Sequence, residues 1–190
     1  MGLFHEIRNP ALIRELEREL NTDVLLFGVD GFTYFGNLQA IEECRIAILT
    51  PAIEAATPEV EILTPGGEVR DVSFLRLDLW SIIGKGTGIV KDPFLNSVTS
   101  VTIPRDSQER LQSKELICRL ERMIGDNVAI TTLGGFLFQG ILGAVDDCLA
   151  VLTVDKIFVP GSNDAICEHD IRSVVVNLEG LTSVATVSCC

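Results

Sequence analysis

The sequence predicts a mostly β protein: two tandem copies of a small, closed, five-stranded, strongly bent barrel, each headed by a short helix. Three observations predict it. Residues 12–49 align without a gap on residues 116–153. Short apolar runs punctuated by turn residues recur through both copies, which is the pattern of many short strands. A glycine lies inside the second run of each copy, Gly36 and Gly140, where glycine marks a sharp bend or bulge.

The repeat is carried by identities at an offset of 104: Leu12/Leu116, Ile13/Ile117, Leu16/Leu120, Glu17/Glu121, Arg18/Arg122, Val24/Val128, Gly31/Gly135, Phe32/Phe136, Gly36/Gly140, Leu38/Leu142, Ala40/Ala144 and Cys44/Cys148. Fixed-period self-similarity has to be found first, because it decides the architecture. Further on, Asp78-Leu79-Trp80-Ser81-Ile82-Ile83 matches Asp170-Ile171-Arg172-Ser173-Val174-Val175 at an offset of 92, so the first copy is expected to carry 104 − 92 = 12 extra residues.

The elements follow in order. Asn9-Pro10 reads as a helix cap followed by proline at the first helical position. Leu12, Ile13, Leu16 and Leu20 then make an apolar stripe at helical spacing. Ser113 caps the second helix, with Leu116, Ile117, Leu120 and Ile124 as its stripe. The first strand is expected over 24–29 and 128–133. Asp30-Gly31 and Gly134-Gly135 are hairpin turns, since the favoured turns need positive φ. The second strand covers 32–41 and 136–145. The acidic pairs Glu42-Glu43 and Asp146-Asp147 turn the chain into a third strand, over 45–50 and 149–154. Copy one then has strands at 59–64 and 68–77 around Pro65-Gly66-Gly67. Copy two has a shorter turn at 159–164. Closing strands are expected at 80–83 and 172–177. Closure into a barrel removes exposed strand edges. The expected organisation is barrel one over 1–84, a connector over 85–112 with a strand at Ser97–Ile103, and barrel two over 113–190.

Composition excludes several classes. With 47% hydrophobic and 22% charged residues the chain is packed and not intrinsically disordered. Twenty-seven acids against 15 lysines and arginines leave a net charge of −12, the wrong field for a general binder of phosphate backbones. Only the stretch 84–114 is locally basic. The first 16 residues lack the apolar run of an export signal, being broken by Glu6, Arg8, Arg14 and Glu15. No apolar run reaches the roughly 18 residues of a spanning helix. A cytoplasmic location with free thiols and no membrane contact is therefore the expectation. The terminal Cys189 and Cys190 are candidates for an intermolecular disulfide.

Helix, strand, turn, strand with Gly–x4–Gly–x–Leu, then an acid and an apolar strand: this order resembles the Sm-like (LSm) superfamily. The nearer likeness is to its bacterial host-factor RNA chaperone branch. Gly135-Phe136-Leu137-Phe138-Gln139-Gly140 resembles that branch's Asn-Gly-aliphatic-Lys-Leu-Gln-Gly segment. Asp146 falls on its aspartate, and Glu168-His169-Asp170-Ile171-Arg172-Ser173-Val174-Val175 resembles its Lys-His-Ala-Ile-Ser-Thr-Val-Val segment. The resemblance implies barrels that join edge to edge into rings, with one chain supplying two places. It also implies a uridine site built from base-stacking aromatics and cations. In this chain Cys148 or Cys44 replaces the loop aromatic, and Cys167-Glu168-His169 or Leu75-Arg76-Leu77 replaces Tyr-Lys-His. A glutamate where a lysine should meet phosphate repels the ligand. The residues left as nucleic-acid candidates are His169, Asp146, Gln139, Lys85 and Lys91.

Other chemistry is thin. Gly84-Lys85-Gly86-Thr87-Gly88 lacks the phosphate-loop spacing, because Leu79 holds the first glycine position, and reads as a flexible connector. Cys167 and His169 fall short of the four ligands of a structural zinc site, so no metal and no cofactor is expected. No nucleophile–base–acid set can be assembled. Cys44 and Cys148 are expected as small core residues, and Trp80 as a core or interface residue. The functional expectation is a non-catalytic scaffold or protein-interaction module that self-associates through barrel edge strands, with an unknown protein partner. The alternative is an RNA-binding regulator with an altered, non-uridine site.

Overall fold

The computed structural model describes residues 10–95, 113–146, 148–162 and 164–187. The strand expected at 97–103 and the thiols of Cys189 and Cys190 lie outside the described residues. Helix α1 (Pro10–Glu17) buries Leu12, Ile13 and Leu16, three positions of the expected stripe. Helix α2 (Ser113–Arg122) buries Leu120. Copy one continues with β1 (Asp23–Gly28), β2 (Thr33–Glu42), β3 (Ile46–Thr50), β4 (Val60–Leu63), β5 (Val69–Val72), β6 (Leu75–Asp78) and β7 (Ile82–Thr87). Copy two continues with β8 (Asn127–Thr132), β9 (Leu137–Asp146), β10 (Leu149–Phe158), β11 (Ala165–Cys167), β12 (Ser173–Asn177) and β13 (Leu181–Thr186). Among the described residues no helix is long and apolar enough to cross a membrane.

The protein is mostly β, and its strands form one antiparallel sheet in which the same order occurs twice. Copy one runs β7-β1-β2-β3-β6 and copy two runs β13-β8-β9-β10-β12, joined where β12 pairs with β7. β4 pairs with β2 and β5, and β11 pairs with β10. Glycine occupies the long strands where no side chain fits. A Cβ on Gly140 would lie 2.0 Å from the Thr153 carbonyl oxygen, and one on Gly36 would lie 2.9 Å from that of Thr50. Register shifts between Val151 and Leu152 and between Val154 and Lys156 mark irregular pairing of β10 with β9 on either side of Thr153.

Several expectations are corrected. The closing strand of copy two is β13, which starts nine residues beyond the expected position (181 − 172 = 9); the strand at the expected position, β12, is the next to last. In both copies a short 3-10 turn precedes the closing strand, with its first N–H groups capped by a side chain one residue ahead. Asp78 accepts from the Trp80 N–H, and Asn177 accepts from the Glu179 N–H. Leu79 N–H donates to the Arg45 carbonyl as Leu178 N–H donates to the Cys148 carbonyl. The counterpart of Asp78 is therefore Asn177, an offset of 177 − 78 = 99, and Arg45 is the counterpart of Cys148. The matching Asp170 block is out of step because Asp170 sits in the turn between β11 and β12, bonded to the Cys167 N–H at 3.0 Å. The run 68–77 is two strands, not one. Cys44 and Cys148 are exposed at φ 53° and 65°. They are turn residues rather than core, because each lies between two paired strands in the left-handed conformation that reverses the chain.

The boundary expected at residue 84 falls inside β7. Gly84 to Thr87 form the central seam rather than a connector, pairing with β1 on one side and β12 on the other. In copy one the length of strand matching β10 is interrupted. Residues 51–59 leave the sheet between β3 and β4, and their backbone is held by carboxylates. Asp23 accepts from the Ile53 and Glu54 N–H groups, each at 2.9 Å, and Asp92 accepts from the Ala56 N–H at 3.0 Å.

Candidate assembly interface

The junction between the copies is built from three layers of contact. The first is the strand ladder: Ser173↔Thr87, Val174↔Gly86, Val175↔Lys85 and Val176↔Gly84. The glycines of β7 let the strands close. A Cβ on Gly84 would meet the Val175 oxygen at 3.1 Å, and one on Gly86 the Ile171 Cδ1 at 2.8 Å. Lys85, between them, is 1% exposed, and its ammonium lies 3.0 Å from Glu19 Oε1. A lysine this deep needs a paired anion, because desolvating an unpaired charge is prohibitive.

The second layer is aromatic. Phe27 of copy one meets Phe136 and Phe138 of copy two edge-on, at centroid distances of 5.3 and 5.0 Å. All three rings are fully buried. One hydrophobic cluster joins Leu25, Phe27, Phe35 and Ile83 to most of the core of copy two, so the copies share a core. The third layer is an interlock of turns. Gly31 faces the Gly134 carbonyl, and Gly161 lies so close to Pro65 that a Cβ on it would be 1.4 Å from the Pro65 oxygen.

The outer ends of the sheet are different. β6 pairs only with β3, and β13 only with β8, among the described residues. Because Leu79 N–H bonds to the Arg45 carbonyl, on the β3 side, alternation along the strand turns the Arg76 N–H outward. Val187 N–H bonds to the Asn127 carbonyl, so the Val184 N–H also points outward. Two rows of backbone donors and acceptors are thus presented, one at each end. Phe74, half exposed just before β6, carries the Arg76 guanidinium over its ring at 5.8 Å. Trp80 is half-buried beside the same edge, with the Arg45 guanidinium 4.2 Å from its ring centre. Arg45 also pairs with Asp78 and holds that carboxyl below its usual range.

The residues singled out from sequence fall on separate elements. Gln139, in β9, donates to Asp155 at 2.9 Å. Asp146 ends β9 and lines a cleft with Arg14 and Glu15 of α1 and Arg18 just beyond it. Lys85 is the seam lysine. Lys91 and His169 do converge: Lys91 Nζ is 3.0 Å from Asp170 Oδ1, and His169 Nε2 is 3.7 Å from the same oxygen. Cys167, His169 and Asp170 each place a donor atom within 4.8 Å of the others, a set that could hold a metal ion. Sequence paired the first two and missed Asp170, whose adjacency in the chain was the available signal. Burial, followed by the charge of Asp170, pushes the Cys167 thiol up, so it is protonated at neutral pH.

A buried acid pair was not foreseen. Glu61 of β4 and Asp92 are 4% and 3% exposed. Burial, then the charge of Asp92, raises the Glu61 pKa to about 7. Glu61 Oε1 accepts from the Thr57 hydroxyl at 3.1 Å, while Oε2 is buried without a partner. Tyr34 is pushed to about 12 by burial and by Asp30. No family model matches the chain, and no curated protein matches it.

Proposed function

We propose that this protein is a non-catalytic, self-assembling scaffold of the cytoplasm, made of two tandem Sm-like barrels that associate through their edge strands. The observation that carries this reading is the repeated strand order. One junction between copies, β7 against β12, is used within the chain, and the equivalent edges β13 and β6 stand at opposite ends with outward-facing backbone groups. Unpaired edges are sites of strand addition unless they are blocked. Neither edge strand contains proline or lysine.

The test is the mass of the full chain in solution, measured by light scattering behind a sizing column at tens of micromolar. The buffer contains at least 0.15 M salt, because the −12 charge repels copies at low ionic strength. Assembly into species of several chains is expected, and added salt strengthens it. A strict monomer at these concentrations overturns the reading. Binding of short RNAs that falls steeply with salt would favour the nucleic-acid alternative instead.

A further inference from the structure

We propose that Cys167, His169 and Asp170 form a binding site for one divalent ion of the zinc class, with a fourth coordination position open to solvent. Cys167 ends β11, and the other two residues lie in the turn that leads to β12. Their donor atoms are a thiol sulfur, an imidazole nitrogen and a carboxylate oxygen, all within 4.8 Å of one another. The expectation of no metal rested on a count of four ligands, which is the rule for a closed structural site. Sites that keep an exchangeable position use three protein ligands and a water, and three is the number this turn brings together.

The backbone holds the donor set in place. The Cys167 carbonyl accepts from the Asp170 N–H at 2.9 Å and from the Ile171 N–H at 3.3 Å. Asp170 Oδ2 accepts from the Cys167 N–H at 3.0 Å, so the turn is closed from both directions. From outside, the Val90 N–H donates to the Asp170 carbonyl at 2.8 Å, and Lys91 Nζ reaches Asp170 Oδ1 at 3.0 Å. Both carboxylate oxygens are thereby oriented, as outer partners orient metal-ligating carboxylates. A carboxylate offers about four acceptor positions, and these two donors use two of them. His169 Nε2 stands 3.7 Å from Oδ1, too far for a hydrogen bond. That spacing is close to the roughly 3.4 Å between nitrogen and oxygen ligands on a tetrahedral zinc ion. The sulfur of such a site lies about 3.5 Å from each, so the set must contract by no more than about 4.8 − 3.5 = 1.3 Å. The exposed His169 side chain can rotate to make that movement.

The donor chemistry selects the ion. A thiolate is a soft ligand that calcium and magnesium avoid, whereas zinc accepts sulfur, imidazole nitrogen and carboxylate oxygen together. As the metal–sulfur bond forms, the Cys167 thiol passes its proton to the buffer. The place of the turn gives binding a consequence for the fold. The Arg172 N–H bonds to the Thr87 carbonyl and the Val90 N–H to the Asp170 carbonyl, so the turn is stitched to the end of β7 and the residues that follow it. An ion bound there braces the junction of β12 with β7, and a ligand that binds only the folded state raises its stability.

The experiment titrates the full-length, reduced, chelator-treated protein with cobalt(II) in the absence of oxygen, cobalt being the spectroscopic stand-in for zinc. One equivalent is expected to produce a near-ultraviolet thiolate-to-cobalt charge-transfer band and the intense visible bands of tetrahedral cobalt. Added zinc is expected to abolish both. Cys167→Ser should remove the charge-transfer band. His169→Ala should weaken binding by more than about 100-fold, beyond the roughly 10–100-fold that loss of an outer partner costs. The double variant Cys189→Ser/Cys190→Ser should keep the band, which separates this site from the terminal thiols. The chain has two histidines, so zinc should also shift the ring-proton NMR signals of one of them, the one missing in His169→Ala. Zinc should raise the melting temperature of the wild type and leave that of His169→Ala unchanged. If Cys167→Ser loses the wild-type circular dichroism, the exposed His169 still gives a folded variant, and the histidine signals decide. Four results would each overturn the site: no stoichiometric cobalt spectrum, a charge-transfer band that survives Cys167→Ser, a band lost with the terminal thiols, or undiminished affinity in His169→Ala.

Discussion

Gly161→Ala should separate the two copies at their interlocked turns. Gly161 has φ +75°, and a Cβ there would sit 1.4 Å from the Pro65 oxygen. Ordinary contact begins near 3.4 Å, so the turns must part by about 3.4 − 1.4 = 2.0 Å. The left-handed conformation alone costs alanine about 1–2 kcal/mol. Forcing packed elements apart adds about 1–3 kcal/mol, for a total loss of roughly 2–5 kcal/mol. Gly125→Ala separates the two contributions, because Gly125 has φ +94° and nothing within 4 Å of its Cβ. It should lose only the conformational part, about 1–2 kcal/mol. Urea denaturation of both variants gives the comparison, since a shift in midpoint at constant slope reports stability. Equal losses in the two would refute the reasoning, because they would mean that the turns part freely and the interlock adds nothing.

Two further predictions concern the core. Glu61 favours its neutral form in the fold, with its pKa raised from 4.5 to about 7. Its contribution to stability is therefore complete below about pH 4.5 and is lost as pH rises to about 7, by about 3 kcal/mol on the linkage relation. Glu61→Gln should flatten that part of the pH–stability curve against the same background of Asp92 and Asp71; denaturation midpoints from pH 4.5 to 8 that run parallel in the two proteins would contradict the buried acid pair. Phe27→Ala empties the space between Phe136 and Phe138 and should cost about 3–5 kcal/mol. The loss should appear in a single transition that covers both copies, because they share this core; two separate melting steps would show independent halves.

How much of this was legible in the sequence depends on which contacts a residue answers to. The helical stripe, the hairpin turns and the bend glycines answer to local geometry. Leu12, Ile13 and Leu16 are buried as spaced, and Gly36 and Gly140 sit inside their strands where a neighbouring carbonyl leaves no room for a Cβ. The register beyond the second strand was lost, because an identity and a structural role diverged there. Cys44 and Cys148 align as letters, but Arg45 is the residue that accepts from the turn after β6 as Cys148 does from the turn after β12. Asp78 was matched to an aspartate, whereas the position needs only a side-chain oxygen two residues ahead of an N–H, and Asn177 supplies it. The strand around Lys85 read as a linker because glycine beside lysine looks solvent-exposed. Those glycines instead mark the approach of Val175 and Ile171, which belong to the other copy and cannot be seen from the local run. The same argument explains why no strand was expected over 181–186. Leu181 to Thr186 has partly exposed residues along its length, and its local hydropathy understates it for the reason that β7 was understated. Half of a seam strand's partners lie on another unit. For β7 that unit is the second copy in the chain, and β13 lies on β8 in the same register that β7 has on β1.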